Sequence, residues 1–418
     1  MYSLYAKTKE NLKLATYAGR SICNPASAVL AHLFFDNRPS LKKIRRAIKL
    51  IRLTPRYSRR GELVGDTYIW HCDREDQTRL ALDIGGKLAS GRKLSTSYVP
   101  AIKEDAYKSL DWSAMYAALK IVLTCKQPLV ERLYIFSAAC YTIKHMKAID
   151  KHGITERITS LISYNSANIP ECFLVSACRQ RDIRTYSLQH GLYHRYRNEC
   201  PIDIINYENV TAQTLLVWSE FCRAEIDAFH RDHDQVADFD MQVAGYINPP
   251  QRQPMTDEPS AATGPHVLCL LPGKRYVADC VKLLNELARL PEGYHLTIRL
   301  HPLLAGNAAL IAALPARATL DDSATLTDTL CGQRYDLAVG FNTTSLFEVT
   351  LFDVPCALYR APSLNLDAQD LPTFSSAEEI VDLLRSPVDV RKLADYILGA
   401  SLFRYGEITH QSSNAAET

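Results

Sequence analysis

Residues 266–302 read HVLCLLPGKRYVADCVKLLNELARLPEGYHLTIRLHP, and the fold turns on this stretch. An apolar run at 266–271 stops at Pro-Gly, a helical pattern follows at 276–289, and a second apolar run fills 295–300. A strand, a helix and another strand joined in this way make a parallel crossover unit. The theme continues with a strand at 335–339, a helix at 345–352 and a strand at 355–359. It also runs upstream: a strand at 157–163, a helix at 170–181 with Pro170 in its first turn, strands at 185–188 and 214–218, a helix at 220–229 and a strand at 242–245. The two series are separated by 247–265, whose Pro, Ser, Thr and Gly cannot build a core.

The expected fold class is therefore α/β, with two Rossmann-like domains facing a cleft: 1–246, a linker at 247–265, and 266–418 ending in a helix at 388–403. Residues 1–130 read as a helical, basic opening with one candidate strand at 64–72. A chain of 418 residues exceeds one ordinary core of roughly 100–200 residues, as two domains require. Its 47% apolar and 22% charged residues, without a repeat, exclude a fibrous or wholly disordered protein.

The apolar run at 133–140 is closed by charge well short of the ~20 residues that span a bilayer. The N-terminus lacks the apolar core of a secretory signal, so a cytoplasmic protein is expected. Twelve cysteines are scattered without a CxxC pair, which supports neither a disulfide framework nor a zinc site. Net charge, at +2, names no partner. Its distribution is more telling: nine Lys or Arg and no acid lie between 41 and 60. There Leu41, Ile44, Ile48 and Ile51 recur at helical spacing, with Lys42, Lys43, Arg45, Arg46, Lys49 and Arg52 around them. One reading is contact with the anionic inner face of a membrane through 42–60; the other is a solvated face of a packed helix. Nucleic acid is not expected, because no aromatics interleave with the basic run.

Ligands of open parallel sheets bind beyond the carboxyl ends of strands. After the strand at 266–271 come Gly273, Lys274 and Arg275, where a glycine permits close approach and two cations neutralise phosphate. This lacks P-loop spacing. After 295–300 come His301 and Pro302, with Arg299 two residues before the histidine and expected on the same side of the strand. After 335–339 come Thr343, Thr344 and Ser345, hydroxyl residues suited to phosphate oxygens, with Glu348 one turn on; Ser345 and Glu348 also fit a capping box. In the first half, Gln189, His190 and Gly191 follow a strand and His194 trails them. Asn165, with Ser166 and Asn168, precedes the helix that holds Glu171. Asn165, Gln189, Gly191 and His194 are expected to line the acceptor side of the cleft, although Asn and Ser also simply form turns. Asp321-Asp322 is a weak metal motif in a loop, and no metal is expected.

On these residues the chain resembles bacterial envelope and capsular polysaccharide glycosyltransferases of the GT-B type. YSLQHG at 186–191, TLLVWSE at 214–220 and VAGY at 243–246 look like the N-domain pattern of capsule transferases. RLHP at 299–302 with Thr343, Thr344 and Ser345 is similar to the HP and serine motifs of bacterial sialyltransferases and Kdo transferases. The resemblance implies that a nucleotide-sugar donor is held by His301, Ser345 and Thr344, with a CMP-sugar favoured and a UDP-sugar as the alternative. The acceptor would be a glycan or lipid-linked glycan, such as surface polysaccharide or lipopolysaccharide, with no cofactor beyond the donor. The acidic motif that supplies the sialyltransferase base has no counterpart here, which leaves His190, Glu171, His194 and Asp232 as candidates, His190 first because imidazole suits deprotonation of a sugar hydroxyl. CDP-glycerol glycerophosphotransferases share the late-chain layout. A sugar-nucleotide epimerase or a non-catalytic glycan- or membrane-binding protein are the other readings.

Overall fold

The computed structural model describes residues 1–36, 39–57, 67–70, 94–95, 102–106, 110–156, 158–197, 202–247, 264–366, 371–386 and 389–408. Near the start, β1 (Thr16–Tyr17) and β2 (Arg20–Ser21) form a small hairpin, and β3 (Leu53–Tyr57) pairs antiparallel with β6 (Ile102–Ala106). Two six-stranded sheets follow, parallel throughout. The first contains β4 (Thr67–Trp70), β5 (Leu94–Ser95), β7 (Ser160–Ser163), β8 (Arg184–Leu188), β9 (Thr214–Val217) and β10 (Asp240–Val243), in the order β10-β9-β8-β7-β4-β5. The second contains β11 (His266–Leu270), β12 (His295–Arg299), β13 (Ala318–Leu320), β14 (Leu337–Gly340), β15 (Cys356–Tyr359) and β16 (Thr373–Phe374), in the order β13-β12-β11-β14-β15-β16.

Every residue of β9, β14 and β15 is buried, as expected of strands covered by helices on both faces. The parallel sheets and their strand orders define two Rossmann-like domains. The helical opening is only part of residues 1–130, since β4 and β5 extend the first sheet from within it. The long helix Leu129–Lys151 is the frame of that region: helices Cys23–Phe34, Ser40–Arg52 and Trp112–Leu123 all pack on it. Its buried Lys144 donates to the Ile51 and Leu53 carbonyls, satisfying groups that the end of the basic helix leaves open.

The expected boundary at 266 needs one correction. Helix Val390–Leu398 and the chain after it return to the first domain: the Ile397 carbonyl accepts from Ser219 Oγ at 2.8 Å, and Tyr405 Oη donates to the Gly245 carbonyl at 2.7 Å. Gly245 has φ +94°, and a Cβ there would overlap the Leu402 carbonyl, so only glycine lets the returning chain close on β10. Tyr405 and Ile408 complete an apolar cluster with Ile162, Leu188 and Leu216 of the first sheet. Of the linker expected at 247–265, only Ile247, Gly264 and Pro265 are described.

Candidate functional site

The second sheet reverses its strand order between β11 and β14, the position where open parallel sheets leave a crevice. A Cβ on Gly340 would stand 2.5 Å from the Leu270 carbonyl oxygen, so glycine is what allows these strand ends to meet. Leaving β14, Asn342 adopts φ +48° and is held by its amide, which donates to the Ser363 carbonyl at 2.7 Å and accepts from Asn365 N at 3.0 Å. Leaving β11, Lys274 and Arg275 lie exposed on the turn Lys274–Tyr276, with the Arg275 guanidinium 4.8 Å over the Tyr276 ring. Gly273 has an ordinary φ of −61° and faces open space, so neither strain nor crowding demands glycine at this position.

His301 opens the short turn Pro302–Leu304, whose first position suits the fixed φ of Pro302. Its Nδ1 accepts from Leu303 N at 3.1 Å, which assigns the proton of the neutral ring to Nε2. Partial burial lowers its pKa, so the ring offers a neutral N–H donor beside β11. Arg299 is elsewhere engaged. It binds Asp321, the Ser323 carbonyl and Thr329 Oγ1, the last two at 3.0 Å, pinning the loop after β13. This network commits the Arg299 guanidinium to the loop after β13, because a carboxylate outcompetes water for a guanidinium. Burial raises the Asp321 carboxyl, but hydrogen bonds from Ser323, Thr329 and Arg299 outweigh it and hold the group near 2.

The helix expected at 345–352 is α-helical only over Ser345–Glu348, then continues as a tighter turn, Val349–Phe352. The capping box is not formed. Thr344 is the N-cap without a side-chain cap bond; its Oγ1 accepts instead from Leu192 N at 3.0 Å. Glu348 Oε1 accepts from Tyr246 Oη at 3.0 Å, and burial raises the Glu348 pKa. So short a helix gives little dipole, and phosphate contact here would depend on the 341–345 loop itself.

The first domain treats its polar residues differently. Gln189 is wholly buried and brackets β8 to β9: Oε1 accepts from Trp218 N at 2.8 Å, while Nε2 donates to the Gly191 carbonyl at 2.8 Å and to Cys222 Sγ. Asn165 is buried too, donating to Asn206 Oδ1 at 2.9 Å and accepting from Ala167 N at 3.1 Å. His194 Nδ1 lies 2.6 Å from the Arg195 carbonyl, and burial pushes its pKa down to about 4. Glu171 is 1% exposed; it accepts from Ser163 Oγ and from Asn165 N at 2.9 Å, and burial pushes its carboxyl up to about 7. These four side chains are therefore bonded into the framework of the carboxyl edge, although Glu171 Oε1 is enclosed without a partner. Asp232 ends helix Glu220–Asp232, about 18 Å along its axis from the strand ends, and pairs with Arg195 at 3.5 Å. The structure does not bring it to the others.

His190 and Gly191 are brought to the cleft. The His190 ring lies 5.0 Å from that of Tyr164 and its Nδ1 is 2.9 Å from Tyr193 Oη, while the 190–192 loop touches Thr344. Contacts that cross between the domains here include Leu192 with Thr344, Tyr246 with Glu348, and Arg197 N with the Asn365 carbonyl at 3.3 Å. Sequence reasoning passed over Tyr164, Asn342 and Asn365, and read Tyr246 only as part of a motif. Tyr164 and Tyr246 follow strand ends, the same signal that picked out His190. The Asn342 backbone and the Asn365 bracket have no local signature. Among the described residues, no three His, Cys, Asp or Glu side chains gather to hold a metal.

The basic helix Ser40–Arg52 is amphipathic as expected, with Ile44 and Ile51 packed against the core, but two of its four apolar positions face outward. Leu41 is 73% and Ile48 39% exposed, while Ala47 is the residue it buries. Lys43 and Arg46 turn inward because carbonyls await them: Lys43 donates to the Phe34 carbonyl, and Arg46 to the His32 carbonyl and to Asp36 at 2.8 Å. Residues 58–60 of the basic run lie outside the described residues. No helix among the described residues is long and apolar enough to cross a membrane.

Two Rossmann-like domains meeting edge to edge around a cleft make up the GT-B fold. Among solved structures, the chain is similar to the S. aureus MnaA–UDP co-structure, with a TM-score of 0.50 at 10% identity over 80% of this chain and 92% of that one. It is equally similar to a protein from Listeria monocytogenes assigned as a UDP-N-acetylglucosamine 2-epimerase: TM-score 0.50, 10% identity, 85% and 98% covered. The lipopolysaccharide outer core galactosyltransferase WaaB in its apo form follows at TM-score 0.49, 10% identity, 84% and 99% covered. No family model matches the chain, and no curated protein matches its sequence. At such identities the likeness establishes the fold.

Proposed function

We propose that the protein is a glycosyltransferase that moves a sugar from a nucleotide donor to a cell-surface polysaccharide or lipopolysaccharide acceptor. The observation that carries this reading is the seam at which Thr344 meets Leu192 and Glu348 meets Tyr246, because it sets the donor-type loops of the second domain against His190 of the first. The donor nucleotide lies at the β11–β14 crevice, its phosphates near Lys274, Arg275, His301 and the 343–345 loop. These cations and the Nε2–H of His301 stabilise the charge that develops as the phosphate departs, so the reaction as written calls on no cofactor. His190 is the base. In the tautomer that places the proton on Nδ1, shared with the Tyr193 oxygen, Nε2 is the nitrogen that takes the proton of the acceptor hydroxyl, and Tyr193 stays a phenol because burial raises its pKa well above the usual value.

Two nucleotides head the donor list: UDP, present in one of the structures that share the fold, and CMP, on the likeness of the RLHP and Thr-Thr-Ser motifs. The outward Leu41 and Ile48 among Lys42, Arg45 and Lys49 support contact with an anionic membrane surface. Thermal unfolding with UDP, CMP, CDP, GDP and TDP tests the reading, since a ligand at a hundred times its Kd adds about 2.7 kcal/mol. Stabilisation by UDP or CMP, followed by acceptor-dependent release of that nucleotide from its sugar, supports it. Conversion of the sugar nucleotide without acceptor would make the protein an epimerase. Stabilisation by CDP alone would turn it toward glycerol phosphate transfer, and none at all would leave a non-catalytic glycan-binding protein.

A further inference from the structure

A cleft of about 750 Å³ opens between helices Cys23–Phe34 and Ser40–Arg52, away from the β11–β14 crevice. Its polar lining is His32, Lys42, Arg45, Arg46, Lys49 and Asn168. Positions 42, 45, 46 and 49 recur at helical spacing, so four cations are held side by side on one face. Like charges so placed repel one another, and Arg46 alone has a carboxylate nearby, Asp36 at 2.8 Å. Lys42, Arg45 and Lys49 have no hydrogen-bond or ion-pair partner among the described residues. Across the cleft, His32 Nε2 is enclosed and also without a partner, an arrangement that costs free energy until something fills it. A freely solvated basic face would not need a concave wall, a second helix and an unsatisfied imidazole nitrogen.

We propose that this cleft binds the phosphate or diphosphate group of a phosphorylated saccharide, the anionic end of the acceptor. Lys42, Arg45 and Lys49 supply the charge and His32 Nε2–H a directed donor, while Leu33 and Tyr141 give an apolar wall for a sugar ring. Asn168 and Ile169 belong to the loop leaving β7, and Tyr164 begins that loop beside His190. Four residues of chain span at most about 14 Å, so a group anchored here places its next sugar units within reach of His190. That the anion belongs to an acceptor rests on the transferase reading; that the cleft binds phosphate does not.

The test is calorimetric titration of the full chain with inorganic pyrophosphate at fixed ionic strength, on the wild type, Arg45→Gln/Lys49→Gln and His301→Ala. Both cations of the double variant are on an exposed helix, so folding is retained, and Arg45→Lys serves as the charge-conserving control. The expected result is a loss of affinity of tenfold or more in the double variant, with near-wild-type binding in His301→Ala and Arg45→Lys. Equal affinity in the double variant, or a loss confined to His301→Ala, overturns the proposal. Co-sedimentation with phosphatidylglycerol vesicles then separates the sources. Vesicle binding that pyrophosphate displaces points to a lipid-borne phosphate, and pyrophosphate binding without vesicle binding points to a free phosphorylated saccharide. Vesicle binding indifferent to pyrophosphate, with no pyrophosphate binding, also overturns it. Failure of nucleotide binding at the β11–β14 crevice leaves this test unaffected, so the two readings fail separately.

Discussion

The two domains end their sheets in polar residues of similar type but opposite use. At the first carboxyl edge Gln189, Asn165, His194 and Glu171 are buried and hydrogen-bonded into the framework. At the second, Lys274 and Arg275 are exposed and His301 keeps its Nε2–H directed away from its one backbone bond. The same position at a strand end thus builds the scaffold in one domain and presents exposed cations in the other. What separates them is burial, which encloses the first set and leaves Lys274 and Arg275 at the surface. His190 is the exception in the first domain, half-buried at the seam and bonded to Tyr193 through Nδ1.

The contrast can be broken by substitutions that treat both edges alike. The largest effect is expected at His190. His190→Ala should lower turnover by roughly a hundredfold to ten-thousandfold, the range of a lost general base, with little change in the unfolding midpoint; turnover within threefold of wild type would return His190 to the scaffold. Gln189→Ala should do the reverse. It orphans the buried Trp218 N–H and Gly191 carbonyl and leaves a cavity, which should cost about 3–4 kcal/mol in denaturant unfolding while the folded fraction binds nucleotide as before.

Glu171 sharpens the comparison through pH. Its folded pKa, near 7, lies above the ordinary value of about 4.3, so the protonated form is the one the fold prefers. The stability linked to it is complete below about pH 4.3 and is lost as pH rises through 7, by about 3–4 kcal/mol. Glu171→Gln should remove that slope in urea melts taken between pH 4.5 and 8. A slope unchanged by the substitution would mean that another group carries it.

Much of the fold was legible because β9, β14 and β15 are continuous apolar runs and the helices between strands start at clear signals, as at Ser219, whose Oγ accepts from Cys222 N at 3.2 Å. Strands β13 and β16 escaped notice because they are short edge strands of three and two residues. The return of Val390–Leu398 to the first domain escaped as well, since its contacts with Ser219 and Gly245 span more than a hundred and fifty residues of chain. For the site, position after a strand drew attention to His190, Lys274, Arg275, His301 and Thr344, which the structure places just beyond strand ends. It did not reveal that Arg299 is held by Asp321, or that Gln189 and Glu171 are buried, because partners distant in sequence decide those outcomes. The basic run was visible from its charge alone, but its convergence with His32 and Asn168 on one cleft depends on packing.

The central claim is that the second carboxyl edge holds a nucleotide through its exposed cations and the His301 ring. It is tested most directly by titrating wild type and His301→Ala with UDP and CMP at equal ionic strength, alongside their unfolding curves. The account predicts that one nucleotide binds the wild type and binds His301→Ala about tenfold more weakly, as loss of one charge-assisted donor implies, with stability changed by less than about 0.5 kcal/mol. Equal binding by both proteins, or binding by neither, would contradict it.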